Sequence, residues 1–420
     1  MNAFRYQENE LFCEDISLSE VLEEFGTPLY VYSKNRIVEN FRAIRAPLAE
    51  MDHVVCYALK ANANPTILKI LAQEGAGADV VSGGELSFAL KAGFSPQRIS
   101  FAGVGKRDAE IEYALKSNIF TINAESSQEL QLISLIALRL GVTARVTLRI
   151  NPDIDAQSHP YITTGLKQNK FGIAAEEAEG VFTFASTLPN MKIVGIHAHI
   201  GSQITKVEPF VEAARFLVRM AASLRERGIA VEHIDVGGGF GVQYMNALAH
   251  ESLPVESDAN VVPRLSQYME AMVPVLKEAH CPVWFEPGRS VVADAGVLLT
   301  RVLYTKDQGS KKFVITDAGM NDLIRPSLYN AYHQIVPVKI QTYEQERADV
   351  VGPICETGDF LARDRLMPKA KRDDHLAVMT VGAYGFSFTS NYNARLRPAE
   401  ILVNGDRVRV IRERQTIDQL

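Results

Sequence analysis

The stretch that decides the fold is Tyr57-Ala58-Leu59-Lys60-Ala61-Asn62, in which a lysine directly follows an apolar run. The residues at 54–59 are rich in β-branched and aromatic side chains and carry no charge, which is typical of a strand buried on both faces. Lys60 is then predicted at the carboxyl end of that strand. Desolvation there favours the neutral amine, a usable nucleophile, whereas a solvated lysine is the more ordinary interpretation of this stretch alone.

The same pattern recurs along the chain. After a helix at about 33–50, we predict eight strands, at 54–59, 78–82, 99–102, 120–123, 145–150, 194–199, 233–236 and 282–286. Amphipathic stretches lie between them, such as those at 84–92, 109–117, 127–140, 177–188, 210–227 and 265–280. Eight buried strands alternating with helices over about 250 residues match a (β/α)8 barrel, and the count weighs against an open doubly wound sheet.

The sequence outside this alternation predicts a second domain. After Gly288, strands with a period of two take over, at 313–316 and 377–381, and an Asn-Gly turn joins a hairpin over 401–410. Residues 1–32 read as strand, short helix and strand, and we expect them to add strands to this region.

We therefore predict an α/β protein with a (β/α)8 TIM-like barrel over 33–288 and a mostly-β domain made of 1–32 and 289–420. Two long interruptions, 151–171 and 240–262, follow the fifth and seventh barrel strands. Both are expected on the C-terminal face, where barrel enzymes keep their functional loops.

Composition excludes several classes of protein. The 420 residues are 47% hydrophobic and 22% charged, as in a soluble globular protein, and two domains are the natural expectation for this length. A formal charge of −6 argues against a nucleic-acid surface. No apolar run approaches the ~18 residues of a membrane span. The N-terminus has no signal-peptide pattern and no CxxC pair occurs, so we predict a reduced, cytoplasmic compartment for the four cysteines, Cys13, Cys56, Cys281 and Cys355.

Polar, charged and glycine residues that could bind a ligand or react follow the carboxyl ends of the predicted barrel strands. Because parallel strands share a direction, the residues just past their carboxyl ends meet at one mouth. These residues are Lys60 after strand one, Asp79 and Ser82–Glu85 at strand two, His199–Ser202 after strand six, Gly237–Gly239 after strand seven and Glu286–Arg289 after strand eight.

The glycines at this mouth indicate a phosphate site. Gly237-Gly238-Gly239 lets backbone N–H groups approach an oxyanion without interference from Cβ atoms, although a tight turn alone also explains a glycine triplet. Ser202 supplies a hydroxyl, and the N–H groups of Gly288 and Arg289 supply a second backbone wall for the same phosphate.

The acid and the histidines complete the pattern. Glu286, on a buried strand, needs a cationic partner, which a protonated ring nitrogen or an arginine can provide. His197 and His199 point the same way and are either satisfied core histidines or a metal pair, but no third ligand has suitable spacing, so a metal is set aside. An amine nucleophile, a phosphate cradle and a carboxylate for a ring nitrogen are the three requirements of pyridoxal phosphate (PLP).

The chain resembles the barrel-type (fold type III) PLP-dependent decarboxylases. Six motifs carry this resemblance, in order and over nearly the whole chain: Tyr57–Asn62, Asp79–Glu85, His197–Gln203, Asp235–Gly241, Glu286–Arg289 and Cys355–Asp359. The resemblance implies a C-terminal β domain, a homodimer with active sites at the subunit interface, and no metal.

The resemblance also implies roles for individual residues. Lys60 is expected to bond the cofactor carbonyl, His199 to stack on its ring and Glu286 to pair with its ring nitrogen. The other cofactor contacts implied are Asp79, Ser202, Gly237, Gly238, Gly239, Gly288, Arg289 and Tyr384. The substrate contacts implied are Arg289, Arg325, Tyr329, Glu356 and Tyr384, and Cys355 or Lys60 is expected to return a proton.

The implied reaction is decarboxylation of meso-2,6-diaminopimelate to L-lysine and CO2. Diaminopimelate has a second zwitterionic end, which explains a site with both an arginine clamp at Arg325 and a carboxylate at Glu356. The alternatives are a decarboxylase of ornithine, arginine or carboxynorspermidine, for which a second acid would serve better than Arg325, and a non-catalytic PLP-binding paralogue, which should have lost the thiol or acid at 355–356. Residues 155–165 match the family's lid in outline, and 250–260 is a polar insertion.

Overall fold

The structure is a computed structural model that describes residues 3–155, 169–257 and 261–420. Apart from Asp155, the predicted lid at 155–165 lies outside the described residues, as does the end of the polar insertion, 258–260. None of the described helices is long and apolar enough to cross a membrane.

The secondary structure alternates in the middle of the chain and is mostly β at both ends. In chain order the strands are β1 Phe4–Gln7, β2 Glu10–Cys13, β3 Ile16–Ser17, β4 Leu29–Ser33, β5 His53–Ala58, β6 Gly77–Val80, β7 Ile99–Phe101, β8 Thr121–Ala124, β9 Ala144–Asn151, β10 Ile173–Ala174, β11 Met191–His197, β12 His233–Asp235, β13 Val283–Phe285, β14 Gly296–Asp307, β15 Lys312–Thr316, β16 Ile335–Pro337, β17 Gln345–Val351, β18 Phe360–Pro368, β19 His375–Val378, β20 Ala399–Asn404 and β21 Arg407–Arg412. The α-helices are α1 Leu18–Phe25, α2 Lys34–Arg45, α3 Pro65–Gln73, α4 Gly83–Ala92, α5 Asp108–Lys116, α6 Ser127–Leu140, α7 Ala178–Thr187, α8 Glu208–Glu226, α9 Leu265–Leu276, α10 Arg289–Val292 and α11 Arg325–Tyr329.

By their internal contacts, the described residues divide into two compact units. The barrel unit comprises Asn40–Gly241 and Val262–Ser290, and the β unit comprises Met1–Glu39, Val242–Val261 and Val291–Leu420. Most of the second long interruption is therefore grouped with the β unit.

The barrel unit contains a closed parallel barrel. Its strands are ordered β9-β11-β12-β13-β5-β6-β7-β8, and β8 pairs with β9 to close the ring. All these pairings are parallel, so the carboxyl ends of the eight strands lie at one mouth. The predicted (β/α)8 barrel and its eight strands are confirmed.

Helix ends in the barrel unit follow from local capping. The Ser82 hydroxyl accepts the Glu85 N–H at 3.2 Å at the start of α4, and Gly93 ends the helix in the left-handed region at φ 94°. The predictions omitted α3, although Pro65 stands at its first position and the Asn64 side chain accepts the Thr66 N–H at 3.0 Å.

The β unit is built on a mixed sheet. Its main order is β18-β17-β15-β14-β4-β20-β21, with β19 pairing with β14 and with β16. The strand β4, from the N-terminal segment, lies between β14 and β20. Residues 1–32 were predicted to add strands to this region, and β4 agrees with that prediction. Leu253 packs into the hydrophobic core of this unit, as does Leu248 just before the predicted polar insertion, so the insertion at 250–260 contributes an apolar side chain to this core.

Candidate active site

Lys60 lies just past the end of β5, in a short 3-10 turn at Leu59–Ala61. Its Nζ donates to Asp79 Oδ2 at 3.1 Å, and the lysine side chain is 41% exposed while Asp79 is fully buried. The amine is therefore accessible to a small molecule and is held by an acid of the neighbouring strand β6.

Three buried acids lie on the inner face of the barrel near this mouth: Asp79, Asp235 and Glu286. Glu286 Oε2 lies 3.2 Å from His197 Nε2, and the Ser100 hydroxyl donates to Glu286 Oε1 at 3.4 Å. His197 Nδ1 has no hydrogen-bond partner among the described residues. Together with Asp235, His197 and Glu286 form a compact cluster whose ligand atoms lie within 4.8 Å of one another.

The three buried acids divide into one with a lowered pKa and two with a raised pKa. Burial raises the pKa of Glu286, but His197 and then Lys60 outweigh burial, so that the pKa of Glu286 lies well below its ordinary value. Burial, and then the charge of Glu286, hold the pKa of Asp235 well above its ordinary value. The same two causes raise the pKa of Asp79, with Lys60 opposing them. Glu286 is therefore the anion that can pair with a protonated ring nitrogen.

His199 is held as a neutral imidazole. The Gly238 N–H donates to its Nδ1 at 3.1 Å, which requires that this nitrogen carries no proton. Burial, and then the charges of Arg149 and Lys60, keep the pKa of His199 well below its ordinary value. A neutral, flat ring at this mouth can stack on an aromatic cofactor.

The glycine triplet has a packing role that the sequence did not reveal. The Gly237 N–H donates to Asp235 Oδ1 at 2.8 Å, so this amide and that of Gly238 are hydrogen-bonded within the barrel unit. A Cβ atom at Gly238 would lie 2.1 Å from the Glu286 carbonyl oxygen, and one at Gly239 would lie 2.1 Å from the Gly201 carbonyl oxygen. Among the described contacts of the triplet, Gly239 N–H is the amide that remains for an oxyanion.

A hydroxyl and a guanidinium lie together beyond β11 and β13. The Arg289 Nη2 donates to the Ser202 hydroxyl at 3.0 Å, and Arg289 is buried. A Cβ atom at Gly288 would lie 3.1 Å from the Cβ atoms of Ala58 and Ala61, which places this backbone against the segment that carries the lysine. The predicted phosphate residues Ser202, Gly239 and Gly288 therefore belong to the same barrel unit as Lys60.

The other predicted site residues belong to the β unit: Arg325, Tyr329, Cys355, Glu356 and Tyr384. Arg325 is the first residue of α11 and is buried, whereas Cys355 and Glu356 are exposed. Tyr384 adopts a left-handed backbone conformation at φ 57°.

Two side chains fix the loop that carries Cys355 and Glu356. The Asp359 carboxylate accepts the N–H groups of Met320 and Ile354, each at 2.6 Å. The Cys355 N–H donates to Asn393 Oδ1 at 2.7 Å. Asp359 ends the motif recognised in the sequence, but its role in holding the loop could not be inferred from the sequence.

The sequence reasoning missed the functional potential of residues inside the strands. It left His197 as a core histidine or half of a metal pair and gave Asp235 no role, although each lies two residues from a predicted site residue. The period of two along a strand places His197 on the same face as His199, and Asp235 on the same face as Gly237. This spacing could have identified His197 and Asp235 as candidate site residues.

The barrel mouth fits PLP on the observations above. It combines an accessible amine, a buried carboxylate with a depressed pKa, a neutral imidazole and a hydroxyl bonded to a guanidinium, and the Gly239 backbone packs against Gly201, the residue before that hydroxyl. These donors and acceptors match the carbonyl, ring nitrogen, ring face and phosphate of the cofactor.

Comparison with known proteins agrees with this fit. Residues 34–293 match the family described as pyridoxal-dependent decarboxylase, pyridoxal binding domain. The chain is 47% identical to a diaminopimelate decarboxylase of Aquifex aeolicus over 99% of this chain and 96% of that protein, and 47% identical to one of Pseudomonas aeruginosa over 100% and 98%. The crystal structure of diaminopimelate decarboxylase from Helicobacter pylori complexed with L-lysine is 43% identical, with a TM-score of 0.89 over 96% of this chain and 97% of that chain. The chain therefore belongs to the diaminopimelate decarboxylase family of pyridoxal-dependent decarboxylases.

Proposed function

We propose that the protein is a PLP-dependent carboxy-lyase that converts meso-2,6-diaminopimelate to L-lysine and CO2. The observation that carries the proposal is the Lys60 amine, which is accessible yet 3.1 Å from the fully buried Asp79, at the same barrel mouth as Glu286. The naming of relatives as diaminopimelate decarboxylases at 47% identity over the whole chain supports this substrate, as does a related structure with L-lysine.

Five residues of the barrel unit would make the main contacts with the cofactor. PLP, when bound, supplies an electrophilic carbonyl and a ring that accepts the electrons left by CO2. Lys60 would supply the amine for that carbonyl, and Glu286, kept anionic, would pair with the protonated ring nitrogen. His199 would stack on the ring, and Ser202 and the Gly239 amide would receive the phosphate. The further cofactor contacts that we propose are Asp79, Gly237, Gly238, Gly288 and Arg289 in the barrel unit and Tyr384 in the β unit.

The β unit would recognise the far end of the substrate. A guanidinium binds a carboxylate with two parallel hydrogen bonds, so Arg325 is suited to the distal carboxylate of the substrate. Glu356 would form an ion pair with the distal ammonium. Cys355 is the proposed donor of the proton that replaces CO2, with Lys60 as the other candidate. Tyr329, Arg289 and Tyr384 complete the substrate contacts that we propose.

An assay of several substrates tests the reaction. The purified protein, loaded with PLP, is incubated separately with meso-diaminopimelate, ornithine, arginine, lysine and carboxynorspermidine, and CO2 is measured. We expect CO2 from diaminopimelate, with one L-lysine formed per CO2, and Lys60→Ala protein as the blank. Release of CO2 from ornithine, arginine or carboxynorspermidine but not from diaminopimelate would refute the proposed substrate.

We also propose a cytoplasmic homodimer in which each active site is shared between subunits. In this arrangement the domain at 33–288 binds the cofactor. The domain made of 1–32 and 289–420 contributes residues to the active site of the partner subunit. The family resemblance supports this arrangement, as does the membership of Cys355 and Glu356 in the β unit, where no barrel strand carries them. A two-fold dimer has two such composite sites.

Hybrid dimers test the shared site. Lys60→Ala protein and Cys355→Ala protein are mixed, dissociated and reassociated, and each hybrid then has one site free of both substitutions. Random pairing makes about half the dimers hybrid, so activity should recover to roughly a quarter of wild type. If hybrids form but the mixture stays as inactive as its parents, each subunit builds its own site.

A further inference from the structure

Arg325 is held by a histidine that no motif singled out. The Arg325 Nη1 lies 2.8 Å from His333 Nε2, and His333 Nδ1 lies 2.8 Å from the Met379 carbonyl oxygen. Both Arg325 and His333 are buried in the β unit. The three groups therefore form a continuous hydrogen-bonded chain from the backbone of the sheet to the guanidinium.

The chemistry of these partners fixes the protonation of His333. A guanidinium has only donors, so His333 Nε2 must accept, and a carbonyl oxygen only accepts, so Nδ1 must carry the proton. His333 is thus a neutral imidazole in one tautomer, and its lone pair points at Arg325. The direction of that lone pair fixes one edge of the guanidinium plane.

Neighbouring groups hold His333 itself. Its carbonyl oxygen accepts from Arg365 Nη1 at 2.6 Å, and the next residue, Gln334, bonds through its side chain to both the N–H and the carbonyl of Leu248. The Tyr244 ring lies 5.1 Å from the His333 ring at 84° and 4.8 Å from the Arg325 Cζ. Backbone, ring and guanidinium are therefore fixed together.

We propose that His333 is a positioning residue that orients Arg325 for the distal carboxylate of the substrate, and so determines affinity for substrates that carry this carboxylate. The inference rests on the proposed function of Arg325. A bidentate contact with a carboxylate requires the guanidinium plane to be set correctly, and a guanidinium free to rotate would lose part of its rotational entropy on binding.

The reaction itself provides a pair of probes. Loss of CO2 from one end of diaminopimelate leaves the carboxylate of the other end on L-lysine. By contrast, 1,5-diaminopentane has the same chain and two ammonium groups but no carboxylate. L-Lysine therefore reports the contact with Arg325, and 1,5-diaminopentane reports the rest of the site.

The test uses the PLP-loaded enzyme and two substitutions. His333→Phe keeps a ring but removes the acceptor, and His333→Gln keeps an oxygen that can accept from Arg325. For His333→Phe we expect KM for diaminopimelate and Ki for L-lysine to rise about 10-fold, as for loss of one charged hydrogen bond, while kcat stays within about twofold. Ki for 1,5-diaminopentane should not change, and His333→Gln should recover at least part of the loss.

A double-mutant cycle separates this inference from the proposed function. In an Arg325→Ala background, which should itself raise KM strongly, His333→Phe should have no further effect on Ki for L-lysine. If Arg325→Ala weakens L-lysine binding but both His333 variants bind it as wild type does, the positioning role is refuted and the clamp stands. An equal loss for L-lysine and 1,5-diaminopentane would also refute it. If wild-type enzyme does not decarboxylate diaminopimelate, the proposed function fails instead.

Discussion

The barrel interior contains two polar layers that lie two residues apart on the same strands. The deeper layer includes Thr121, Thr147 and His233, which are hydrogen-bonded to one another: the two hydroxyls lie 2.8 Å apart, and His233 Nε2 lies 3.3 Å from Thr147 Oγ1. In the layer at the mouth, by contrast, Asn123 has no hydrogen-bond partner for either amide atom among the described residues. His197 Nδ1 and Asp79 Oδ1 also have no hydrogen-bond partner among these residues.

This difference shows what each layer is for. An unsatisfied buried polar group costs about 1–3 kcal/mol, so the mouth layer reduces the stability of the barrel while the deeper layer preserves it. The Phe120 and Trp284 rings stack at 4.3 Å beside His233 and add apolar packing to the deeper layer. Polar groups that the fold leaves unsatisfied are the ones available to a cofactor or substrate.

The largest effect should come from the mouth layer, at Lys60. Lys60→Ala removes the amine that bonds the cofactor carbonyl, so turnover should fall by about 10⁴-fold or more, and the near-visible absorbance of lysine-linked cofactor should disappear. Thermal unfolding should change little, because the lysine is 41% exposed. Retention of the lysine-linked absorbance in the variant would mean that another residue bonds the cofactor.

Glu286→Gln should have the next largest effect. A neutral amide cannot hold a proton on the ring nitrogen, so kcat should fall by about 10²–10³-fold while PLP stays bound. The protein should also lose some thermal stability at neutral pH, because the depressed pKa of Glu286 means that His197 and Lys60 stabilise its charge by more than burial costs. Glu232→Gln is the matched control, since this half-buried acid pairs with Arg145 and Lys192, and it should leave kcat unchanged. Unchanged kcat in Glu286→Gln would make this acid structural.

The two layers also show how far sequence reasoning reached. The strands of the barrel could be predicted because strands buried on both faces are continuous apolar runs, and the mouth residues could be predicted because they follow those runs. The deeper layer and His197 could not, since a residue inside a strand gives no sign of which atoms it meets across the barrel. Likewise, the glycine triplet signalled an oxyanion site, but two of its amides are hydrogen-bonded within the protein.

Gly195→Ala should damage the deeper layer and spare the chemistry. A Cβ atom at Gly195 would lie 2.3 Å from His233 Cε1 and 2.7 Å from the His233 carbonyl oxygen, so the barrel must shift to accept it. We expect a loss of about 1–3 kcal/mol in unfolding free energy, with kcat of the folded enzyme within twofold of wild type. The measurement is denaturant unfolding beside steady-state kinetics.

Gly180→Ala is the control for this glycine. Gly180 lies in α7, where an added Cβ atom would contact nothing within 4 Å, so the substitution should stabilise the protein by about 0.5–1 kcal/mol. If the two variants unfolded alike, close packing at Gly195 would not be a source of stability.

The smallest effect compares the two layers directly. Thr147→Val has nearly the same shape but removes the hydroxyl between Thr121 and His233, and it should cost about 1 kcal/mol in unfolding free energy without changing kcat. Asn123→Leu replaces a mouth amide that makes no hydrogen bond among the described residues, so it should leave stability unchanged or raise it. The unfolding free energies of both variants, measured by denaturant unfolding, test this comparison. A larger loss in Asn123→Leu than in Thr147→Val would show that the mouth layer also contributes to stability, and would remove the distinction between the layers.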